Sequence, residues 1–393
     1  MTGDATGGRT DASDAAAPLA GLVVVELGHS VAAPYAGQIL GDLGAEVIKI
    51  EKPEGDDARK WGPPFVDGAA ATFQALNRNK HSVVCELRDA AQRERLAQFI
   101  VERADVVLQN LRPGQIEALG LGAEALLARK PALVYCNVGA FGAKGPLAGR
   151  PGYDPLMQAF SGIMSVVGEE GQEPVRVGPS IIDMGSAMWA VTGIVAALYR
   201  RRASGRGGVV DVSLFETAAA WMTMFSAQYL ASGTLPRKNG SGQAGIVPYR
   251  SFRTADGDLV VAAGNDGLFR KLCGVLGHRE WAEEPRFRGN PQRVQNAAAI
   301  NALIRAEMAT RSSADWIAAF DQAGVPCAPV QNVQQMLEHE QMRALGLLQA
   351  VPGSSVPLIG LPIRFDGERS APRSGPPRLG EHTRIVLGEG HTK

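Results

Sequence analysis

Two short apolar runs separated by one helix length constrain this chain more than any other feature. They are Leu22-Val23-Val24-Val25-Glu26-Leu27 and Ala45-Glu46-Val47-Ile48-Lys49-Ile50-Glu51. Between them lie the loop Gly28-His29-Ser30, a helical stretch from Ala33 to Leu43, and Gly44, placed to cap that helix. Continuous rather than alternating apolar runs suit strands buried on both faces, and parallel strands need a crossover of helix length. The unit reads as βαβ. The alternation continues with a strand at Ser82–Glu86, a helix over 90–103, a strand at Ala104–Gln109, helix over 115–129 and a strand at Ala132–Asn137. Such repetition predicts a doubly wound α/β domain with a parallel sheet.

The remaining chain divides by texture. Residues 154–202 read as mostly helical and end at Gly205-Arg206-Gly207-Gly208. One more strand follows at Val209–Leu214, then a long helix over 215–232. Residues 236–245 are polar and Gly-rich. Runs at Tyr249–Thr254 and Asp258–Ala263 flank Ala255-Asp256-Gly257, and Asp-Gly is a strong hairpin signal. Helices are expected over 266–276, 295–310, 313–323 and near 333–345. The expected organisation is a tail over 1–17, a large Rossmann-like domain over 18–234, a smaller α+β domain over 235–325, and a C-terminal segment over 326–393.

At 393 residues the chain has room for about two domains. Forty basic residues balance forty acidic ones, which gives no field to attract nucleic acid or a membrane surface. Any anionic ligand must find a local cluster of Lys and Arg. The four cysteines, Cys85, Cys136, Cys273 and Cys327, are far apart and form no CxxC pair, which suits a reducing, cytoplasmic compartment. No run of eighteen apolar residues predicts a membrane span. Residues 1–17 have neither the apolar core of a signal peptide nor the basic character of a mitochondrial one.

Familiar catalytic signatures are missing: there is no GxSxG, HExxH or Walker A sequence, and the six histidines are scattered, so no metal is expected. Gly120-Leu121-Gly122 follows a helix rather than a strand, the wrong context for a dinucleotide fingerprint. An anionic ligand is suggested by the helix start near Pro34 and by Lys49, Lys52, Arg59, Lys60, Arg78, Lys80 and Arg112. Each of these cations lies at or beyond the end of an expected strand, where ligands gather on open α/β sheets. Solvated surface charge accounts for them equally. In Arg150-Pro151-Gly152-Tyr153-Asp154-Pro155, Asp154 fits a helix N-cap and Pro155 the first helical turn. Nothing local makes Asp154 a nucleophile.

The order of these segments resembles the class III coenzyme A transferases, the family of formyl-CoA transferase and carnitine CoA-transferase. The matching stretches are Gly41–Glu51, Leu76-Asn77-Arg78-Asn79-Lys80, Asn110-Leu111-Arg112-Pro113-Gly114, Arg150–Asp154, Ser204–Gly208, Asp211–Leu214 and Leu379-Gly380-Glu381-His382-Thr383. The resemblance implies that Asp154 attacks an acyl-CoA thioester, giving a mixed anhydride and then an aspartyl-CoA thioester from which an acceptor acid takes CoA. It implies CoA contacts at His29, Val31, Ala32, Lys52, Asn77, Arg78, Asn79, Lys80, Asn110, Leu111 and Arg112. Two positions where formyl-CoA transferase carries basic residues fall at Ala118 and Gly139, so Arg59 and Lys80 are expected to substitute for them. It also implies a mobile glycine-rich loop shielding the site, here Gly240, Gly242, Gln243 and Gly245 within 238–245.

In fold, the resemblance implies a Rossmann-like large domain, a smaller α+β domain and an interlocked-ring homodimer. Acyl-CoA and a small carboxylic acid would be substrates, with no permanently bound cofactor. The stretch Gly245–Phe252 and Ala262-Ala263-Gly264-Asn265 is similar to the succinate–hydroxymethylglutarate branch, which implies succinyl-CoA as donor and a dicarboxylate acceptor. Arg253 and Arg237 are then candidates for the second carboxylate. An oxalate- or carnitine-type transferase stays open. A related α-methylacyl-CoA racemase would need His where Tyr153 stands and Glu where Arg253 stands, leaving Asp183 without its His partner.

Overall fold

The computed structural model describes residues 17–388, so all but the last residue of the expected N-terminal tail lies outside the described residues. The chain separates into two compact units. Among the described residues the first comprises 17–163, 176–227 and 341–388, and the second 164–175 and 228–340.

In the first unit the alternation becomes a six-stranded, wholly parallel sheet. Its strands are β1 (Val23–Leu27), β2 (Glu46–Glu51), β3 (Lys80–Val84), β4 (Val106–Gln109), β5 (Val134–Gly139) and β6 (Gly208–Ser213). Their spatial order is 3-2-1-4-5-6, the doubly wound dinucleotide-type arrangement, with the reversal of winding between β1 and β4. Crossovers include α1 (Ala32–Asp42) and α2 (Ala90–Arg103). Every residue of β1 and β4 is buried, as strands covered on both faces require.

Past β5 come α3 (Asp154–Phe160) and the long α4 (Ile181–Ser204), then β6 and α5 (Leu214–Trp221). The stretch 154–202 is mostly helical as expected, in three pieces, with a short helix at Ile163–Val166 and a non-helical connection over 167–180 before α4. The helix expected over 115–129 is likewise two pieces, Gln115–Ala118 and Ala123–Arg129, parted where Gly120 takes a φ of 69°. α4 is apolar and long enough to cross a membrane by length and composition alone, and half of that window is buried within the fold. Its buried side includes Ala187, Ala190 and Ile194.

In the second unit β7 (Tyr249–Arg253) and β8 (Asp258–Ala262) form the expected hairpin, and β9 (Cys327–Pro329) pairs antiparallel with β8. α6 (Asp266–Leu276), α7 (Ala297–Met308) and α8 (Ser313–Ala323) enclose a core containing Phe252, Phe269, Trp316 and Phe320. The β8–β9 ladder holds 326–340 in this unit, so the C-terminal segment begins about Gln341 rather than at Pro326. From there the chain rejoins the first unit. Arg373 donates to the carbonyls of Gly41 and Ala45, both at 2.9 Å, and the amide of His382 donates to Ser82 O at 2.9 Å beside β3.

Candidate active site

A cleft of about 990 Å³ opens along the carboxyl ends of the parallel strands. Leu27–Ala32 enter it after β1, Ile50–Lys52 after β2, Asn110–Pro113 after β4, Val138–Ala140 after β5 and Leu214 after β6. Ligands of open α/β sheets bind outside these ends, beside the reversal of winding.

The loop after β1 is held from below by buried charge. Lys49, on β2, donates to Glu26 at 2.9 Å and to Gly28 O at 2.8 Å, and pairs with Asp56 at 2.8 Å; its side chain is 0% exposed. Burial works against its charge, but Glu26 and Asp56 outweigh burial and hold the ammonium above its usual pKa. Asp56 in turn accepts the Ser30 amide at 3.2 Å. From the other side Asn110 accepts the His29 amide at 3.0 Å and returns an N–H to His29 O at 2.9 Å. Gly28 is required here, because a Cβ would lie 2.5 Å from Ala33 Cβ. Val31, at the start of α1, places no side chain over the first-turn amides. The His29 and Ser30 amides are thus already bonded, and the donors of the kind that receive phosphate oxygens are those of the first turn of α1. Burial lowers the pKa of His29, so its ring adds no lasting charge.

Seven of the eleven residues expected from the resemblance to contact CoA meet at this cleft: His29, Val31, Ala32, Lys52, Asn110, Leu111 and Arg112. Asn77, Arg78, Asn79 and Lys80 do not, nor does Arg59. Lys80 is 1% exposed and spends its ammonium on Glu26, Asn77 Oδ1 and Pro34 O, at 2.8, 2.8 and 2.7 Å. Burial lowers its pKa to about 8 despite Glu26. Arg78 forks onto Asp42 at 2.9 and 2.6 Å, and Asn79 donates to the same carboxylate at 2.8 Å. Arg59 forks onto Glu51, at 2.7 Å for both bonds. Lys80 thus supports Glu26, Arg78 and Asn79 brace Asp42 at the end of α1, and Arg59 braces Glu51 at the end of β2. Ala118 and Gly139 do line the cleft, and the cations that accompany them are Lys52, Arg88, Arg112 and Arg150. Sequence reading passed over Arg88 and Arg150, although Arg88 follows β3 as Lys52 follows β2.

Asp154 also lines the cleft and is 2% exposed. It is the first residue of α3 rather than its N-cap, a position taken by Tyr153. Its carboxylate caps a different helix. Oδ2 accepts the amides of Ile182 and Asp183 in the first turn of α4, at 2.7 and 3.2 Å, while Oδ1 accepts Gln158 Nε2 at 2.6 Å. Gln158 is fixed by the Val177 amide, 2.8 Å from Oε1. Three N–H groups therefore hold a nearly buried carboxylate at the edge of the cleft, with no cation paired to it among the described residues. Asp183 lines the cleft beside it, and burial together with the charge of Asp154 pushes its carboxyl up to about 7.

The expected loop residues Gly240, Gly242, Gln243 and Gly245 lie in the second unit. Gly240, at a φ of 57°, donates to Gly168 O at 2.9 Å, Gln243 donates to Tyr249 O at 3.0 Å, and Asn290 donates to Gly245 O at 2.9 Å. Arg253 pairs with Asp258 at 3.1 Å and Arg237 with Glu170 at 3.4 Å, both exposed.

Residues 19–383 match the family model of CoA-transferase family III. The chain belongs to that family. It is 37% identical over 390 residues, 97% of each chain, to a succinate–glutarate CoA-transferase of Agrobacterium fabrum. It is 34% identical to the succinyl-CoA:glutarate CoA-transferase of Mus musculus, across 96% of this chain and 87% of the relative. An acetyl-CoA:oxalate CoA-transferase of Acetobacter aceti is 36% identical over 93% of each chain. The crystal structure of a CaiB/BaiF family protein from Brucella suis superposes with a TM-score of 0.85 at 39% identity, covering 94% of this chain and 98% of that one. This chain is a class III CoA-transferase, and CoA thioesters are its substrates.

Proposed function

We propose that this transferase moves coenzyme A from succinyl-CoA to a dicarboxylic acid through an aspartyl-CoA thioester on Asp154. The observation that carries this reading is the Asp154 carboxylate itself, held by three N–H groups at the edge of a cleft of about 990 Å³. Asp154 attacks the thioester carbonyl to form a mixed anhydride, and the released thiolate attacks the aspartyl carbonyl. The donor acid leaves, and the acceptor acid reverses both steps. The amides of the first turn of α1, with Lys52, Arg88 and Arg112, suit the phosphates. Arg150, four residues before Asp154, suits the second carboxylate of a dicarboxylate. The 238–245 loop closes over the intermediates and excludes water. The working form is the interlocked homodimer, in the cytoplasm, where four free thiols stay reduced.

The names of the glutarate-directed relatives support the dicarboxylate acceptor. A racemase reading has no comparable support, since Tyr153, a poor base near neutral pH, stands before Asp154. The test is a panel of acyl-CoA donors with mono- and dicarboxylic acceptors, read by mass spectrometry, in the wild type and in Asp154→Asn. Transfer from succinyl-CoA to four- to six-carbon dicarboxylates is expected in the wild type, with a loss of at least about 10³-fold in the variant. Transfer to oxalate or monocarboxylates alone would overturn the acceptor class, and an active Asp154→Asn would overturn the nucleophile.

A further inference from the structure

We propose that Asp183 is a second catalytic residue, whose carboxyl group donates a hydrogen bond to the negative charge that develops on the thioester as Asp154 attacks it. The inference rests on the nucleophilic role of Asp154 proposed above and adds a partner to it. Three observations carry it. Asp183 and Asp154 open on the same cleft and are placed by the same turn, because the Asp183 amide is one of the groups bonded to Asp154 Oδ2. The two carboxyls are nevertheless treated oppositely by their surroundings. Asp154 meets three N–H donors, whereas the half-buried Asp183 carboxyl has no hydrogen-bond or ion-pair partner among the described residues. An unpartnered polar group in such a place costs stability and calls for a ligand.

The third observation is electrostatic. The group that acts on Asp183 is Asp154, from the start of α3, and none on α1, β5, β6 or α5 adds a second charge to it. Burial comes first and Asp154 second in raising Asp183 to about 7. Two neighbouring carboxylates resist double ionisation, so the pair is suited to one nucleophile and one donor. The step balances without an outside acid. The Asp154 oxygen bonds to the acyl carbon, the carbon–sulfur bond breaks, and its electron pair leaves on sulfur as thiolate. The proton stays on Asp183 throughout.

The experiment follows isotope exchange between labelled succinate and succinyl-CoA from pH 5.5 to 9, using the full-length wild type, Asp183→Asn and Asp183→Ala. In the wild type, kcat is expected to fall as pH rises through about 7, as the donor ionises. Asp183→Asn keeps an N–H donor at every pH and should lose that alkaline decline. Asp183→Ala should reduce kcat about 10²-fold with KM for succinyl-CoA within about threefold, the signature of a contact made in the transition state. Asp183→Asn is nearly isosteric and guards against misfolding of the alanine variant. If the folded Asp183→Asn protein retains the wild-type decline, or Asp183→Ala retains wild-type kcat, the proposal fails. Exchange unchanged in Asp154→Asn would instead overturn the nucleophile reading, and absent wild-type exchange would overturn succinyl-CoA as donor; both are recorded before the Asp183 variants are compared.

Discussion

Lys49 and Lys80 show how a charge changes meaning when its surroundings become visible. In sequence both belong to a set of cations at strand ends, suited to phosphate or to solvent. In the structure both are buried and grip Glu26 from two sides, at 2.9 and 2.8 Å. A charge at the end of a strand has the same sequence context whichever way it points. The usable signal was a different one: Glu26 and Lys49 each interrupt an otherwise apolar run, and opposite charges inside adjacent buried strands must find each other. Replacing Lys49 by Met leaves Glu26 and Asp56 short of a cation and frees the carbonyl of Gly28. We expect a loss of about 3–5 kcal/mol in denaturant unfolding. At a temperature where the variant remains folded, KM for acyl-CoA should rise about tenfold with kcat little changed, because the loop after β1 binds CoA without touching the reacting bond. A variant with wild-type KM would show that the loop keeps its shape without Lys49.

At the scale of elements, strands and their parallel sense were legible because continuous apolar runs recur at helix-length intervals. Helix 90–103 matches residue for residue, and α1 is displaced by one residue. The misreadings fall where tertiary contacts override local pattern. Residues 167–180 interrupt the helical stretch with Gly168, Gly171, Pro174, Gly178 and Pro179, and the Val177 amide is used there to fix Gln158. Asp154 looked like the cap of its own helix because a side chain that reaches forward to the start of α4 leaves no local trace. Packing of α1 on β1 makes a sharper case. Gly37 lies in mid-helix, where Ala is favoured by about 1 kcal/mol on propensity. Here a Cβ would fall 2.0 Å from Glu26 Oε2, an atom held by Lys80 in a packed network. Crowding therefore outweighs propensity, and Gly37→Ala should be less stable by about 1–3 kcal/mol in chemical denaturation. A stabilised variant would mean that Glu26 can move aside without cost.

At the scale of the molecule, alternation established that strands are parallel, but not that their order is 3-2-1-4-5-6. Order depends on which side each crossover takes, and that information is spread over the contacts of whole helices. The discontinuity of the units was equally hidden, since the unit in which 164–175 packs is decided by contacts distant in sequence. The chain leaves the first unit at Ala227, and returns from Gln341 to be tied down at Gly41, Ala45 and Ser82. Meanwhile α4 exposes Met188, Trp189, Val195 and Tyr199, and α3 exposes Leu156 and Phe160. Apolar surface of this extent is a liability for an isolated chain and suits burial against a partner. Two measurements separate interlocking from ordinary association. Sedimentation at micromolar concentration should give twice the chain mass. Tagged and untagged dimers mixed in native buffer should then fail to exchange subunits over days, yet scramble after unfolding and refolding together, since linked rings part only when a ring opens. A monomer in sedimentation would overturn the dimer, whereas exchange within hours in native buffer would keep the dimer and overturn the interlock.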